Sequence, residues 1–283
     1  MKLKEMNKAI SYPLLVGIFY VLSSSEGNAG TMGPLSTPEK IYIGVFGGAG
    51  ASTKIDISQF GTAFFTELAG GPLAVNAFGR ADSSTVGFVG GHVGYQWLEK
   101  SLNLFNSLSG LTPAVELEGY YLGKNTFTGH DLNNNTERLP EHDFLVTYPM
   151  NAGVFLVNAV ANFNLSNLPK FHPYIGAGIG ASILSISDAD ATQVAPAEVG
   201  VNHYNSKPSN TDTTFAAQVK AGLSFAFNEN ISMFGEYRWL HLSNSSYTFG
   251  STVFPGHAAT SSWSVELGSQ NYNLGAVGLR YSV

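Results

Sequence analysis

The chain has 283 residues, of which 12% are charged, with 32 glycines, no cysteine and a formal net charge of −6. Ordinary soluble domains carry about 25% charged residues, so this balance fits a protein with lipid on one side and a crowded, semi-polar interior on the other. The lack of cysteine excludes disulfides and thiolate chemistry, and the acidic balance argues against nucleic-acid binding.

The N-terminus reads as a cleaved secretory signal peptide over residues 1–29. Lys2, Lys4 and Lys8 give a basic start, Ala9 to Leu22 is mostly apolar, and Gly27 and Ala29 supply small residues for cleavage. The apolar run is shorter than the roughly 20 residues that a membrane-spanning helix needs. Removing Lys2, Lys4, Lys8, Glu5 and Glu26 leaves 11 basic and 18 acidic residues, about −7 for residues 30–283. No later segment holds 18 consecutive apolar residues, so any crossing of a membrane falls to strands with period 2.

Eight such strands follow in order. The first four are expected near 40–50, 85–98, 112–124 and 145–165, each with weaker alternation. In the third, Val115, Leu117 and Tyr121 oppose Glu116, Glu118 and Tyr120. The fifth, 174–185, sets Ile175, Ala177, Ile179, Ala181 and Ile183 against Gly176, Gly178, Gly180 and Ser182. Small residues on that second face suit a narrow lumen. The sixth, 215–227, is the clearest. Phe215, Ala217, Val219, Ala221, Leu223, Phe225 and Phe227 share one face, a run matching the roughly 9–11 residues that cross a bilayer at a tilt.

Asn228-Glu229-Asn230 makes a tight turn into the seventh strand, 231–242. There Met233, Tyr237 and Trp239 face outward, and Glu236 and Arg238 face inward. The eighth, 272–283, alternates Val277, Leu279, Tyr281 and Val283 with Ala276, Gly278, Arg280 and Ser282. An apolar strand of this kind would be an aggregation hazard as a free edge in water, whereas in a membrane barrel it closes against the first strand. The connections after strands one, three, five and seven (51–84, 125–144, 186–212 and 243–268) are long and polar, and the others are short or moderate.

The expected fold is therefore all-β, a closed antiparallel eight-stranded transmembrane β-barrel with four long extracellular loops in a single domain over 30–283. Phe64, Phe65, Leu73, Val75 and Phe78 leave open an extra hairpin that would make ten strands.

Three stretches, Phe171-His-Pro-Tyr-Ile-Gly-Ala-Gly-Ile-Gly-Ala, Gly235-Glu-Tyr-Arg-Trp-Leu and Val277-Gly-Leu-Arg-Tyr, resemble the OmpA-like, opacity-type outer-membrane surface barrels. Ala29-Gly-Thr-Met-Gly-Pro and Phe249-Gly-Ser-Thr-Val-Phe-Pro are similar to the set of such barrels expanded in Legionella-type bacteria. The resemblance implies a Gram-negative outer-membrane location and a non-enzymatic surface protein with a structural role and loop-mediated adhesion or host contact. Its implied partners are outer-membrane lipids and lipopolysaccharide, the barrel insertion machinery through the C-terminal strand, and host surface molecules, with the chain a monomer. Two departures stand out. The final residue is Val283 where the family usually has an aromatic, which implies less efficient insertion. The chain also ends at the eighth strand, without a peptidoglycan-binding domain.

Candidate site residues fall into three groups. Glu116, Glu118, Lys220, Glu236, Arg238 and Arg280 face inward and are expected to form a lumen charge network, because unpaired buried charges cost several kcal/mol. Lys220 is expected to pair with Glu236, and Arg238 or Arg280 with the third-strand glutamates; a narrow ion-conducting channel is the alternative use of these charges. Tyr237, Trp239 and Tyr281 are expected in a lipid-facing aromatic belt.

His241 and Ser243 share a strand face at the outer rim, and a Ser activated by a His is the core of acyl transfer. The His-x-Ser-Asn run is similar to the motif of PagL-type lipid A deacylases. That resemblance implies His241 as base and Ser243 as nucleophile, with a downstream Glu to orient the His. Glu266 alone is available for that role, and counting back from Val283 places it on the lumen side.

No cofactor is expected. Gly176-Ala-Gly-Ile-Gly lacks the helix that caps a pyrophosphate, and Gly47 to Lys54 lacks the Gly-Lys-Ser/Thr ending of a phosphate loop. The seven histidines are scattered without a metal-ligand spacing, so no metal site is expected.

Overall fold

The computed structural model describes residues 39–283 except 98, 99, 106, 107 and 166. The signal segment expected at 1–29 lies outside the described residues. In chain order the strands are β1 (Lys40–Ser52), β2 (Ile55–Ala63), β3 (Leu73–Ala81), β4 (Thr85–Gln96), β5 (Lys100–Phe105), β6 (Leu108–Asn133) and β7 (Asp143–Leu165). They continue as β8 (Phe171–Ile186), β9 (Asp190–Ala195), β10 (Asn210–Ala226), β11 (Ile231–Leu242), β12 (Ser245–Phe249), β13 (Trp263–Leu267) and β14 (Gln270–Ser282). All belong to one antiparallel sheet.

Eight of them close a ring. β1 pairs with β4, β4 with β6, β6 with β7, β7 with β8, β8 with β10, β10 with β11, β11 with β14, and β14 with β1. The closing seam runs from Tyr42 opposite Ser282 to Ser52 opposite Tyr272, so the last strand covers the edge of the first. These eight are the strands anticipated from alternation, with β6 and the start of β10 running further. Alternation sets the two faces of each strand. On β14, Val277, Leu279 and Tyr281 are exposed and Tyr272, Leu274 and Ala276 are buried; on β8, Ile175, Ile179 and Ile183 are exposed above inward glycines.

The interior is filled by rings laid over inward glycines. A Cβ at Gly94 would lie 2.2 Å from the Tyr42 ring, and one at Gly222 would lie 2.5 Å from the Tyr174 ring. The missing side chain on one strand thus makes room for a large one on the next, which is how an eight-stranded ring fills a narrow lumen.

The long connections expected as loops instead carry strands that prolong the ring upward. β2 and β3 pair with each other and continue β1 and β4 after breaks at Thr53–Lys54 and Asp82–Ser84. The possible extra hairpin therefore forms, but it stacks above the ring and leaves the ring at eight strands. β12 follows β11 after Ser243–Asn244, and β13 leads into β14 across Gly268–Ser269. β13 pairs with β2, β3 with the upper part of β6, and β9 with the upper part of β7.

The outer face of this upper storey, the crown, is mixed: Phe78 and Leu132 are exposed among Asp56, Arg80 and Glu266. In β12, Tyr247 and Phe249 point inward while Ser246 and Thr248 point outward. Its last gap, between β9 and β12, is closed by residues 205–207. Gly250 N donates to Lys207 O at 2.9 Å, Val253 N to Asn205 Oδ1 at 2.9 Å, and Asn205 Nδ2 to Val253 O at 2.8 Å.

Candidate functional site

The ring geometry converts alternation on separate strands into one cluster inside the lumen. Glu116 and Glu118 come from β6, Lys220 from β10, Glu236 and Arg238 from β11, and Arg280 from β14, and all six are buried. Lys220 donates to Glu116 Oε2 at 2.5 Å and to Glu118 Oε2 at 3.0 Å. Arg238 donates through Nη1 to Glu118 Oε1 at 2.7 Å and through Nε to Glu236 Oε1 at 2.8 Å. Arg280 Nη2 reaches Glu116 Oε1 at 3.3 Å. Lys220 thus bonds to the two β6 glutamates rather than to Glu236, whose charge is taken by its own-strand neighbour Arg238. The reason is register: Lys220 lies opposite Arg238 across the β10–β11 pair, and Glu236 lies opposite Gly222.

Neutral donors complete the cluster. Tyr42 Oη donates to Glu116 Oε1 at 2.8 Å, Tyr174 Oη to Glu236 Oε2 at 2.9 Å, and Gln218 Nε2 to Glu118 Oε1 at 2.8 Å. Each of the six carboxylate oxygens therefore accepts at least one hydrogen bond, and three acids face three bases. The guanidinium carbons of Arg238 and Arg280 lie 4.0 Å from the Phe46 ring centroid and 4.4 Å from that of Tyr42, respectively, geometry favourable for cation–π attraction. Counted round the ring, β6 and β11 are four strands apart in either direction. The Arg238–Glu118 bond therefore crosses the lumen along a diameter and blocks its axis.

Outside the ring, Tyr237, Trp239 and Tyr281 are exposed. Tyr281 is opposite Ile231 at the turn end, and Trp239 is opposite Asn273 toward the crown. These levels are about 26 Å apart measured along a strand.

At the crown end of β11, His241 stacks on Trp239, and its Nδ1 lies 2.9 Å from Asn271 Oδ1. Ser243 lies past the end of β11 and is held by its backbone N–H, which donates to Phe215 O at 3.0 Å. No hydrogen bond joins His241 and Ser243 among the described residues. Glu266 is exposed on the outer face, not in the lumen, because the interruption at Gly268–Ser269 shifts the alternation between β13 and β14. It is opposite Ser246, whereas His241 is opposite Asn271. The His241 ring is therefore oriented by Asn271, which cannot serve as the carboxylate of an acyl-transfer triad.

The crown has its own buried polar core. Tyr148 and Tyr204 hydroxyls lie 2.9 Å apart, and Tyr204 Oη donates to Gln59 Oε1 at 2.5 Å. Asp131, in the crown portion of β6, is fully buried, and neither carboxylate oxygen has a hydrogen-bond partner. Burial, reinforced by the nearby Asp143 and opposed by His130, pushes the Asp131 carboxyl up to about 7. Crown closure also brings Glu198, His203 and His257 together. Chain spacing could not group them, because they lie on two separate connections.

The family model for the outer membrane protein beta-barrel domain matches residues 37–268. The chain belongs to that family. Its place is the bacterial outer membrane, where the exposed apolar band of the ring meets lipid. No curated protein sequence matches the chain. Among solved structures the barrel is similar to Neisserial surface protein A, with 15% identity and a TM-score of 0.27 over 85% of this chain and 96% of that one. It is also similar to OprG from Pseudomonas aeruginosa, with 10% identity and a TM-score of 0.37 over 86% and 96%. The outer-membrane protease OmpT from Escherichia coli matches at 9% identity and a TM-score of 0.36 over 90% and 100%. TM-scores this low carry no inference about activity.

Two predictions follow from these clusters. Glu118→Ala leaves Arg238 and Lys220 each short of a partner inside the lumen, and losing one member of a buried pair costs about 3–5 kcal/mol. The urea midpoint of the detergent-folded barrel should fall sharply, whereas Glu266→Ala on the outer face should leave it in place. For Asp131, the folded carboxyl holds its proton to about pH 7, and the unfolded one loses it near pH 4. Stability therefore falls as pH rises through that window, by up to about 4 kcal/mol. Asp131→Asn should remove this fall and raise the urea midpoint at pH 8 above that of the unsubstituted protein.

Proposed function

We propose that residues 30–283 form a monomeric, non-conducting and non-enzymatic outer-membrane barrel. Its role is structural, and its crown presents a surface for adhesion or host contact. One observation carries this reading: the lumen is crossed along its diameter by the Arg238–Glu118 bond, within a cluster that leaves no carboxylate oxygen unpaired. A side-chain plug of this kind holds the ring rigid and closed, and function then falls to the outward end, where partners have access.

Tyr237, Trp239 and Tyr281 serve as the lipid-facing belt. β14, which closes the seam with β1, is the segment read by the insertion machinery. The pairing of His241 with Asn271 and the position of Glu266 speak against deacylation of lipid A. The crown supports surface contact because its outward face mixes charged and polar groups with exposed Phe78 and Leu132 while its inward face is packed, so it stands as a built structure above the lipid.

Planar bilayers holding the folded protein should show no discrete conductance steps, and steps in the unsubstituted protein would sink the plugged reading. Lipid A from expressing cells should have the same mass spectrum with the unsubstituted chain as with Ser243→Ala. Loss of one acyl chain only in the former would make the barrel an enzyme. Cells displaying the chain should adhere to host monolayers more than cells carrying a version with the crown tips 64–72 and 134–142 replaced by Gly-Ser. Equal adherence would remove the contact role.

A further inference from the structure

We propose that Glu198, His203 and His257 form a binding site for one divalent transition-metal cation of the Zn2+ type, held by Glu198 Oε2 and the Nε2 atoms of both histidines. The site is independent of the adhesion reading, since it requires only that the crown be folded.

The distances fit an ion better than a direct pair. Glu198 Oε2 is 3.5 Å from His203 Nε2 and 3.6 Å from His257 Nε2, and one ligand atom from each of the three residues lies within 4.8 Å of the other two. A tetrahedral ion with bonds of about 2.0–2.1 Å holds its ligand atoms about 3.3–3.4 Å apart. Those separations are long for hydrogen bonds, and Glu198 Oε2 is a buried oxygen without a hydrogen-bond partner.

The two imidazoles are oriented for ligation from behind. His203 Nδ1 is 2.7 Å from Ala191 O, and His257 Nδ1 is 2.6 Å from Ala258 O. A carbonyl only accepts, so each Nδ1 carries a proton and each Nε2 is turned toward Glu198, where it can offer its lone pair to an ion. Metal-ligating histidines are commonly fixed in this way by a carbonyl behind the ring. His203 is further held edge-on against Phe144 and Trp263.

A cavity of about 320 Å³, lined also by His142, Phe144 and Trp263, adjoins the three groups. It gives a water access to the fourth position, the arrangement of a His₂Glu site. Two imidazole nitrogens select Zn2+, Ni2+ or Cu2+ over Mg2+ and Ca2+, which prefer oxygen ligands. The other histidine–carboxylate cluster, His92 with Glu116 and Glu118, makes no such site. Its carboxylates are already saturated by Lys220, Arg238 and Arg280.

The ligands come from the two connections that close the crown, 196–209 and 250–262. A bound ion would therefore clasp the seam that backbone bonds between residues 205–207 and 250–253 only partly close.

The test uses the full-length protein folded in detergent, stripped with EDTA and titrated with ZnCl2 by calorimetry. A parallel CoCl2 titration is followed by visible absorption, since tetrahedral Co2+ has intense bands. One equivalent should bind, and proteinase K cleavage within 196–209 and 250–262 should slow. Glu198→Gln and His257→Ala, checked for folding by heat-dependent gel mobility, should weaken Zn2+ at least about tenfold. His142→Ala, in the same cavity, should bind as the unsubstituted protein does. Absence of saturable Zn2+ binding would overturn the proposal, as would unchanged affinity in folded Glu198→Gln and His257→Ala proteins.

Discussion

In lipid no water is available to satisfy an unpaired backbone N–H or C=O, and each such group costs several kcal/mol. A strand-built protein meets this constraint only by closing its sheet, and the β1–β14 seam is where this chain does so. The rest of the structure depends on that closure. It fixes the number of ring strands and so the lumen diameter, and it forces alternate side chains into a space that admits few large ones. The exchange of glycine on one strand for an aromatic ring on the next follows, as does the placing of charge on β6, β10, β11 and β14 where it meets across the axis.

The buried charge cluster is a consequence of the closed ring as much as a support for it. Taking six charges out of water is unfavourable in itself, and their attraction offsets this only with good geometry and satisfied lone pairs. Both conditions hold: acids and bases are equal in number, Tyr42, Tyr174 and Gln218 fill the remaining acceptor sites, and aromatic faces cover both guanidinium groups. A cluster of this kind ties strands on opposite walls together, which hydrogen bonds between neighbouring strands cannot do. The rim residues His241 and Ser243 stand outside it and are positioned by Asn271 and by the Phe215 carbonyl.

The crown follows a different physical rule. Above the lipid, water satisfies exposed backbone groups, so the sheet no longer has to close by strands alone. β9, β12 and β13 are short, and the gap between β9 and β12 is bridged by irregular chain. Looser closure leaves room for buried polar groups without full pairing, of which Asp131 and Glu198 Oε2 are instances. Such groups are tolerable away from lipid because a proton neutralises the first, and a cation is the counterpart assigned to the second.

The sequence by itself determined the ring. Period-2 alternation over β8, β10, β11 and β14 is a local property, and an apolar outer face leaves a two-residue repeat unambiguous. The inward assignment of Glu116, Glu118, Lys220, Glu236, Arg238 and Arg280 follows from the same parity and needs no knowledge of neighbours. Parity fails where a strand is interrupted. The break at Gly268–Ser269 turned Glu266 outward, and short strands with mixed outer faces read mainly as loops over β2, β3, β9, β12 and β13, with a hairpin legible only around Leu73, Val75 and Phe78. Which charges pair was decided only by register and ring order, since Lys220 meets residues 104 and 102 positions away. Glu198, His203 and His257 belong to the same class: two connections, joined by no local pattern, converge only when the crown closes.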